Sequence, residues 1–280
     1  MERQDIINSI LSKYSPELIN TFFENLKKNP LNEYYAKRIL WYYFLHERLA
    51  TKIKGINFFD FYENFSTKYI FHPMIQNIIT TQNYDDTPHD IFRIYRVCYS
   101  SVSVFKISNA INIIEQFPQI KTIIDPCAGW GGRMLGSILS GKKYIGFDTN
   151  LNLRDAYEKI LRHFPNHNAR IKFCDALDID YTKYRYDCIF TSPPYYNIEL
   201  YSYCGKRSKT EWNNWYRTLF TKLFDSLKRK GIMVLSINAE IYEFFKTIFG
   251  ECTFSIPLKI TYSRNAATPY TELVYIWQKD

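Results

Sequence analysis

Asp125-Pro126-Cys127-Ala128-Gly129-Trp130-Gly131-Gly132 decides how this chain is read. The apolar run Thr122-Ile123-Ile124 enters an acidic residue, then a glycine-rich turn, then a helix expected over 133–139. Such a turn lets backbone approach a ligand closely, and the first helical turn presents N–H groups that lack intrahelical partners. A plain strand-to-helix turn would use the same glycines. The coincidence of Asp, Pro and three Gly favours a binding loop. Two other phosphate motifs fail: G-x-G-x-x-G would need glycine at Met134, and the G-x-x-x-x-G-K run ending at Lys142 is followed by Lys143 where a magnesium-binding Ser/Thr is required.

Around this turn, short apolar runs alternate with helical stretches. Tyr144–Phe147, Ile171–Phe173, Cys188–Phe190 and Ile232–Leu235 read as strands, and 108–116, 152–164 and 211–229 as helices. This alternation predicts an α/β fold with a mostly parallel sheet covered on both faces. The tail differs, since 253–262 and 272–277 read as an antiparallel C-terminal hairpin. The first ninety residues read as helical: Ser15-Pro16-Glu17 opens one helix, Asn29-Pro30 breaks it from another over Glu33–Ala50, and Tyr84–Pro88 is a polar break. The expected division is an accessory helical region, 1–90, and a catalytic domain, 91–280.

The 280 residues carry 46% apolar and 18% aromatic side chains, enough for a sizeable core. The net charge is +8, distributed as −1 over residues 1–90 and +9 over 91–280. The densest excess lies between Ser202 and Lys230, eight cations against Glu211 and Asp225, so an anionic partner is expected on the second part. No apolar run is long enough to span a membrane, and the amino terminus lacks a secretory pattern. An intracellular, cytoplasmic protein is expected, or one acting in a host cell if viral. Six scattered cysteines without a C-x-x-C pair, and five histidines without ligand spacing, favour reduced core thiols and no metal.

The site candidates follow the strand ends. Asp148 closes the second strand, 23 residues after Asp125, where an acid can accept both hydroxyls of a ribose. Asp175 closes the third and is placed for an adenine amino group, a helix cap being the plainer reading. Thr191-Ser192-Pro193-Pro194-Tyr195-Tyr196 follows the fourth. Its prolines stiffen the backbone and remove donors, so the Pro193 carbonyl and the Ser192 hydroxyl can accept hydrogen bonds from a planar amine. Tyr195 offers a stacking face for a base drawn out of a helix. The loop 197–209 then interleaves Lys206, Arg207 and Lys209 with Tyr196, Tyr201 and Tyr203, a pattern that suits nucleic-acid contact.

Over roughly residues 100–280 the chain resembles the S-adenosylmethionine-dependent amino-methyltransferases of DNA, which methylate adenine N6 or cytosine N4. The resemblance rests on Asp125–Gly132 and Thr191–Tyr195, with Phe105-Lys106-Ile107-Ser108 similar to that group's additional cofactor-side motif. It implies a Rossmann-like methyltransferase sheet and S-adenosylmethionine as cofactor. Phe105, Lys106, Asp125 and Cys127 would lie on the cofactor side, Gly129 and Gly131 at its methionine part, Asp148 at its ribose and Asp175 at its adenine. Ser192, Pro193, Pro194 and Tyr195 would form the catalytic clamp. A Ser at the head of the tetrapeptide leans toward cytosine N4.

The expected partner is therefore duplex DNA with the target base flipped, in a restriction-modification, viral or orphan setting. RNA bases, a protein glutamine, or a non-catalytic nucleic-acid-binding role are the alternatives. Only about 85 residues follow the tetrapeptide, too few for a separate recognition domain. Sequence reading then falls to residues 1–90, to the loop, or to a protein partner or second copy bound through 1–90. The near-neutral charge of 1–90 argues against its being the sole DNA grip. An Asp125→Ala protein is expected to fold and to bind cofactor weakly.

Overall fold

A computed structural model describes residues 2–53, 55–99, 102–200, 205–258 and 272–280 of the protein. The apolar runs become seven strands: β1 (Thr122–Asp125), β2 (Lys143–Asp148), β3 (Ala169–Phe173), β4 (Cys188–Thr191), β5 (Ile232–Ser236), β6 (Phe254–Pro257) and β7 (Leu273–Gln278). They form one sheet in the order β3-β2-β1-β4-β5-β7-β6. The first five are parallel, whereas β7 pairs antiparallel with both β5 and β6. This is a Rossmann-like sheet with an antiparallel C-terminal hairpin, as the alternation predicts.

Successive strand residues point to opposite faces, and here both faces are apolar. Ile123, Tyr144, Cys188, Val234 and Ile276 join one core cluster, while their neighbours Ile124, Ile145, Ile189, Leu235 and Trp277 join another. Central β4 and β5 are buried throughout, whereas edge strand β3 is partly and edge strand β6 largely exposed. Helices cover the sheet, as a parallel sheet requires.

The helices are α1 (Arg3–Leu11), α2 (Pro16–Lys28), α3 (Glu33–Ala50), α4 (Phe58–Glu63), α5 (Pro73–Thr81), α6 (Pro88–Tyr99), α7 (Ile107–Glu115), α8 (Gly132–Leu139), α9 (Arg154–Arg162), α10 (Lys209–Ser226) and α11 (Ala239–Phe249). Ser15 caps α2 as expected, its hydroxyl accepting from the Leu18 amide at 3.2 Å. Helix α10 begins two residues before its expected start because Ser208 and Glu211 form a reciprocal capping box. It ends before Lys228-Arg229-Lys230, so these lie beyond the helix instead of in its last turn.

The expected division at residue 90 falls inside α6 and does not mark a break in packing. Phe22, Phe23 and Leu26 of α2 and Ala36, Ile39, Leu40 and Phe44 of α3 belong to the same apolar cluster as the sheet. Helices α1, α4, α5 and α6 instead form a satellite cluster around Phe58, Phe59, Phe61 and Tyr95. Backbone pairing of Lys52–Ile53 with Glu199–Leu200 adds a second tie, to the segment following Tyr195. No helix among the described residues is long and apolar enough to cross a membrane.

Phe44 tests this shared core. Its ring lies edge-on to Tyr157 at 5.1 Å and to Trp130 at 6.2 Å. Phe44→Ala should lower the unfolding free energy by about 3–5 kcal/mol in one cooperative urea transition. A separate accessory domain would instead leave a second transition in place.

Candidate active site

The sheet order reverses between β1 and β4, and in open α/β sheets the crevice beyond the strands' carboxyl ends at such a point is where ligands bind. Both sequence motifs emerge there, one from each strand. A cavity of about 1080 Å³ lies against them.

The glycine turn is held from beneath. Asp125, fully buried, accepts Arg133 Nε at 2.7 Å and the Tyr144 hydroxyl at 2.7 Å on Oδ2. Its Oδ1 accepts the Cys127 amide at 3.1 Å and Arg133 Nη2 at 3.3 Å. Arg133 also donates to the Cys127 carbonyl, and its guanidinium lies 5.6 Å from the Phe105 ring centroid. Asp125 was expected at the cofactor; both its oxygens are instead engaged by the protein, and it staples the turn without lining the cavity. Gly131 differs in the same way. It takes a left-handed φ of 75°, and a Cβ there would press on the Phe44 ring instead of reaching the cavity. At Gly132 a Cβ would collide with the Phe105 carbonyl oxygen, so this glycine lets the 105–106 segment close onto α8.

The other cofactor-side candidates do converge. Phe105, Lys106, Cys127 and Gly129 line the cavity, and so do Asp148 and Asp175. Asp148 accepts the Gly129 amide at 2.8 Å on Oδ2 and the Asn150 amide at 2.9 Å on Oδ1. Burial pushes its carboxyl up to about 6, against those two amides, which favour the ionised form. The Asn150 side chain donates to Glu47 of α3 at 2.9 Å, tying the acidic loop to the helical region. Burial acts to raise Glu47, but hydrogen bonds from His46, Asn150 and Asn152 hold it below the usual carboxylate range. Asp175 serves both its readings: Oδ1 caps the short turn Ala176–Asp178 through the Leu177 amide at 2.9 Å, and the residue also lines the cavity. Burial raises the Cys127 thiol well above its ordinary range, so it stays protonated.

Ser192, Pro193, Pro194 and Tyr195 line the same cavity. The Tyr195 hydroxyl donates to the Ser236 carbonyl at the end of β5, at 2.8 Å, and lies 3.2 Å from Ser192 Oγ. With its single proton given to Ser236, the phenol can only accept from Ser192. Ser192 Oγ is left with lone pairs for a further donor. The Pro194 carbonyl is taken by the Tyr216 hydroxyl of α10, which also accepts the Tyr196 amide at 3.3 Å. No hydrogen bond among the described residues uses the Pro193 carbonyl. Burial raises the Tyr195 phenol, which excludes it as a base near neutral pH.

The expected nucleic-acid contacts scatter. Arg207 lines the cavity, its guanidinium 4.9 Å from the Trp212 ring centroid. Lys206 is exposed but outside the cavity lining. Lys209 pairs with Glu240 at 2.6 Å. Tyr196 packs edge-on to Tyr216 at 5.9 Å and bonds Asn213, also outside the lining. Tyr201 lies outside the described residues. Arg133, Glu47 and Ser236 escaped the sequence reading. Only Arg133 carried a local signal, a cation just after a glycine turn that follows a strand-ending Asp.

No family model matches the chain, and no curated protein matches it. Solved structures similar to it include NSun6 from Pyrococcus horikoshii with SFG, at 17% identity and a TM-score of 0.47, over 65% of this chain and 53% of that one. TrmN from Thermus thermophilus aligns at 12% identity and 0.45, over 62% and 48% of the two chains. An rRNA methylase from Streptococcus thermophilus aligns at 12% identity and 0.43, over 64% and 99%. At such scores these likenesses decide nothing about chemistry, which rests on this chain's own residues.

Removing Asp125 leaves a buried guanidinium without its partner. Asp125→Ala should therefore cost about 3–5 kcal/mol of stability in urea unfolding.

Proposed function

We propose that the protein is an S-adenosylmethionine-dependent amino-methyltransferase acting on an exocyclic base amine of DNA, cytosine N4 or adenine N6. One observation carries this reading: Ser192–Tyr195 and the Gly129–Asp148–Asp175 wall line one cavity at the point where the sheet order reverses.

The donor set fits the cofactor. Asp148 keeps lone pairs beyond its two amide contacts for a ribose diol, Asp175 Oδ2 makes no hydrogen bond among the described residues, and Gly129 admits close backbone approach. When bound, S-adenosylmethionine supplies a methyl group already activated on a sulfonium sulfur. What the chain must add is alignment of the acceptor amine.

Ser192 Oγ, turned into an acceptor by the Tyr195–Ser236 relay, and the Pro193 carbonyl would take the two amine hydrogens. Holding them favours the pyramidal nitrogen whose lone pair can attack, and stabilises the positive charge that develops there. Tyr195, with its hydroxyl anchored and its ring on the cavity, would stack the extruded base.

Incubation with labelled S-adenosylmethionine and duplex DNA, followed by nucleoside mass spectrometry, should find label in N4-methylcytosine or N6-methyladenine. Label on RNA or on a protein glutamine would overturn the DNA acceptor. Tyr195→Ala should lower kcat/KM about tenfold to a hundredfold, the worth of one base–aromatic stack, and leave cofactor affinity unchanged.

Protonation of Asp148 removes acceptor lone pairs from the ribose site. Cofactor affinity by isothermal titration should hold above neutrality and fall as pH drops through about 6, the raised value of this carboxyl. Asp148→Asn should bind weakly and lose that pH dependence.

A further inference from the structure

Charge along the chain and charge across the surface disagree in this protein. Residues 1–90 carry 10 Lys/Arg against 11 Asp/Glu and read as indifferent to anions. In the fold, Lys13, Lys37, Arg38 and Arg48 of that segment, with Arg93 and Arg96 just beyond it, line the cavity that holds the clamp. Glu33 is the only carboxylate that α1 to α6 bring to that lining, and it is occupied. Its Oε2 accepts the Ser108 amide at 3.1 Å and the Ser108 hydroxyl at 3.0 Å.

Four of the acids are engaged within the fold. Glu24 pairs with Lys27, Asp60 with Lys52 and Asp90 with Arg93, while Glu47 turns inward to Asn150. Lys13, Lys37 and Arg96 are exposed. No ion pair joins them or Arg38 to a carboxylate among the described residues. Aromatic faces lie among these cations: Lys13 sits 5.5 Å from the Tyr14 ring centroid and Arg96 5.8 Å from that of Phe92, both rings lining the cavity.

The stretch that looked most basic is divided: Lys206, Arg229 and Lys230 are exposed, join no ion pair among the described residues and lie outside the cavity lining, while others are engaged. Lys209 pairs with Glu240, Lys222 donates to the Leu177 carbonyl, Lys228 pairs with Asp187, and Arg217 lies over Phe244. Of its cations, Arg207 alone among the described residues lines the cavity.

We propose that Lys13, Lys37, Arg38 and Arg96 form the seat for the DNA phosphodiester backbone flanking the base held at Ser192–Tyr195. This rests on the reading of the chain as a DNA amino-methyltransferase. Lys13, Lys37 and Arg96, exposed and without an ion pair among the described residues, can neutralise phosphates and release counterions without first breaking one. Arg38, half-buried over the Tyr34 ring and donating to the Tyr34 carbonyl at 3.3 Å, adds an arginine fork that suits phosphate oxygens. Tyr14 and the Phe92 edge give the adjoining sugars and bases an apolar wall.

Fluorescence anisotropy with labelled duplex DNA, between about 50 and 200 mM salt, reads the number of phosphate contacts as the slope of log affinity against log salt. The triple variant Lys13→Gln, Lys37→Gln, Arg96→Gln should bind at least tenfold more weakly at the low-salt end and flatten that slope by about 2–3. Its S-adenosylmethionine affinity should match the wild type. Lys37→Gln alone should flatten the slope by about 1, which keeps the test in force if the triple variant fails to fold. Lys159→Gln, on α9 and paired with Asp155, should change nothing.

An unchanged slope in these variants, or no DNA binding by the wild type, overturns the seat. A slope change confined to RNA of the same sequence overturns DNA as its occupant. Absence of cofactor binding or methyl transfer with the slope change intact overturns the proposed function and leaves the seat standing.

Discussion

The pair between Arg133 and Asp125 sets the geometry on which the whole site depends. Asp125 is the last residue of β1 and Arg133 lies in the first turn of α8, so their contact fixes how sharply the chain turns from strand to helix. Within that turn the Cys127 and Gly129 amides point at two carboxylates, Asp125 and Asp148. A charged pair sealed inside a domain costs desolvation, and its return is geometric specificity as much as stability. Tyr144 completes the arrangement from the neighbouring strand, so the turn is held by β1, β2 and α8 together.

Hydroxyl chemistry organises the other half. Tyr195, Ser192 and Ser236 form a short relay whose polarity is set at one end by a backbone carbonyl, which can only accept. That constraint passes along the relay and decides which lone pairs face the cavity. Tyr216 fixes the next carbonyl, at Pro194, from α10. The tetrapeptide is thus oriented by β5 on one side and a helix on the other, and prolines leave its backbone little freedom to respond.

Much of this architecture was legible in the chain. The Asp-Pro-x-x-Gly-x-Gly-Gly turn, the strand runs and the antiparallel tail are encoded locally, by residue type and by a period of two, and they appear where expected. The roles of particular residues were less legible. An Asp ending a strand before a glycine turn looks the same whether its oxygens face a ligand or a buried arginine, so Asp125 read as a contact when it is a support. The boundary at residue 90 is not legible because the apolar stripes of α2 and α3 do not say which surface they cover; the sheet begins at Thr122, 72 residues after α3 ends at Ala50. The charge count before Lys230 does not distinguish Lys209, Lys222 and Lys228, to which the fold brings a carboxylate or carbonyl, from Lys206, Arg229 and Lys230, which join no ion pair among the described residues.

The bond from Asn150 to Glu47 makes the Asp148 wall of the cavity a composite of two distant parts of the chain. A shortened protein beginning near residue 100 would retain every motif and yet lose the carboxylate that braces its acidic loop, along with the aromatic lid over Gly131. Grafting this catalytic unit onto another scaffold therefore requires α3 to travel with it, as an inseparable part of the pocket's masonry.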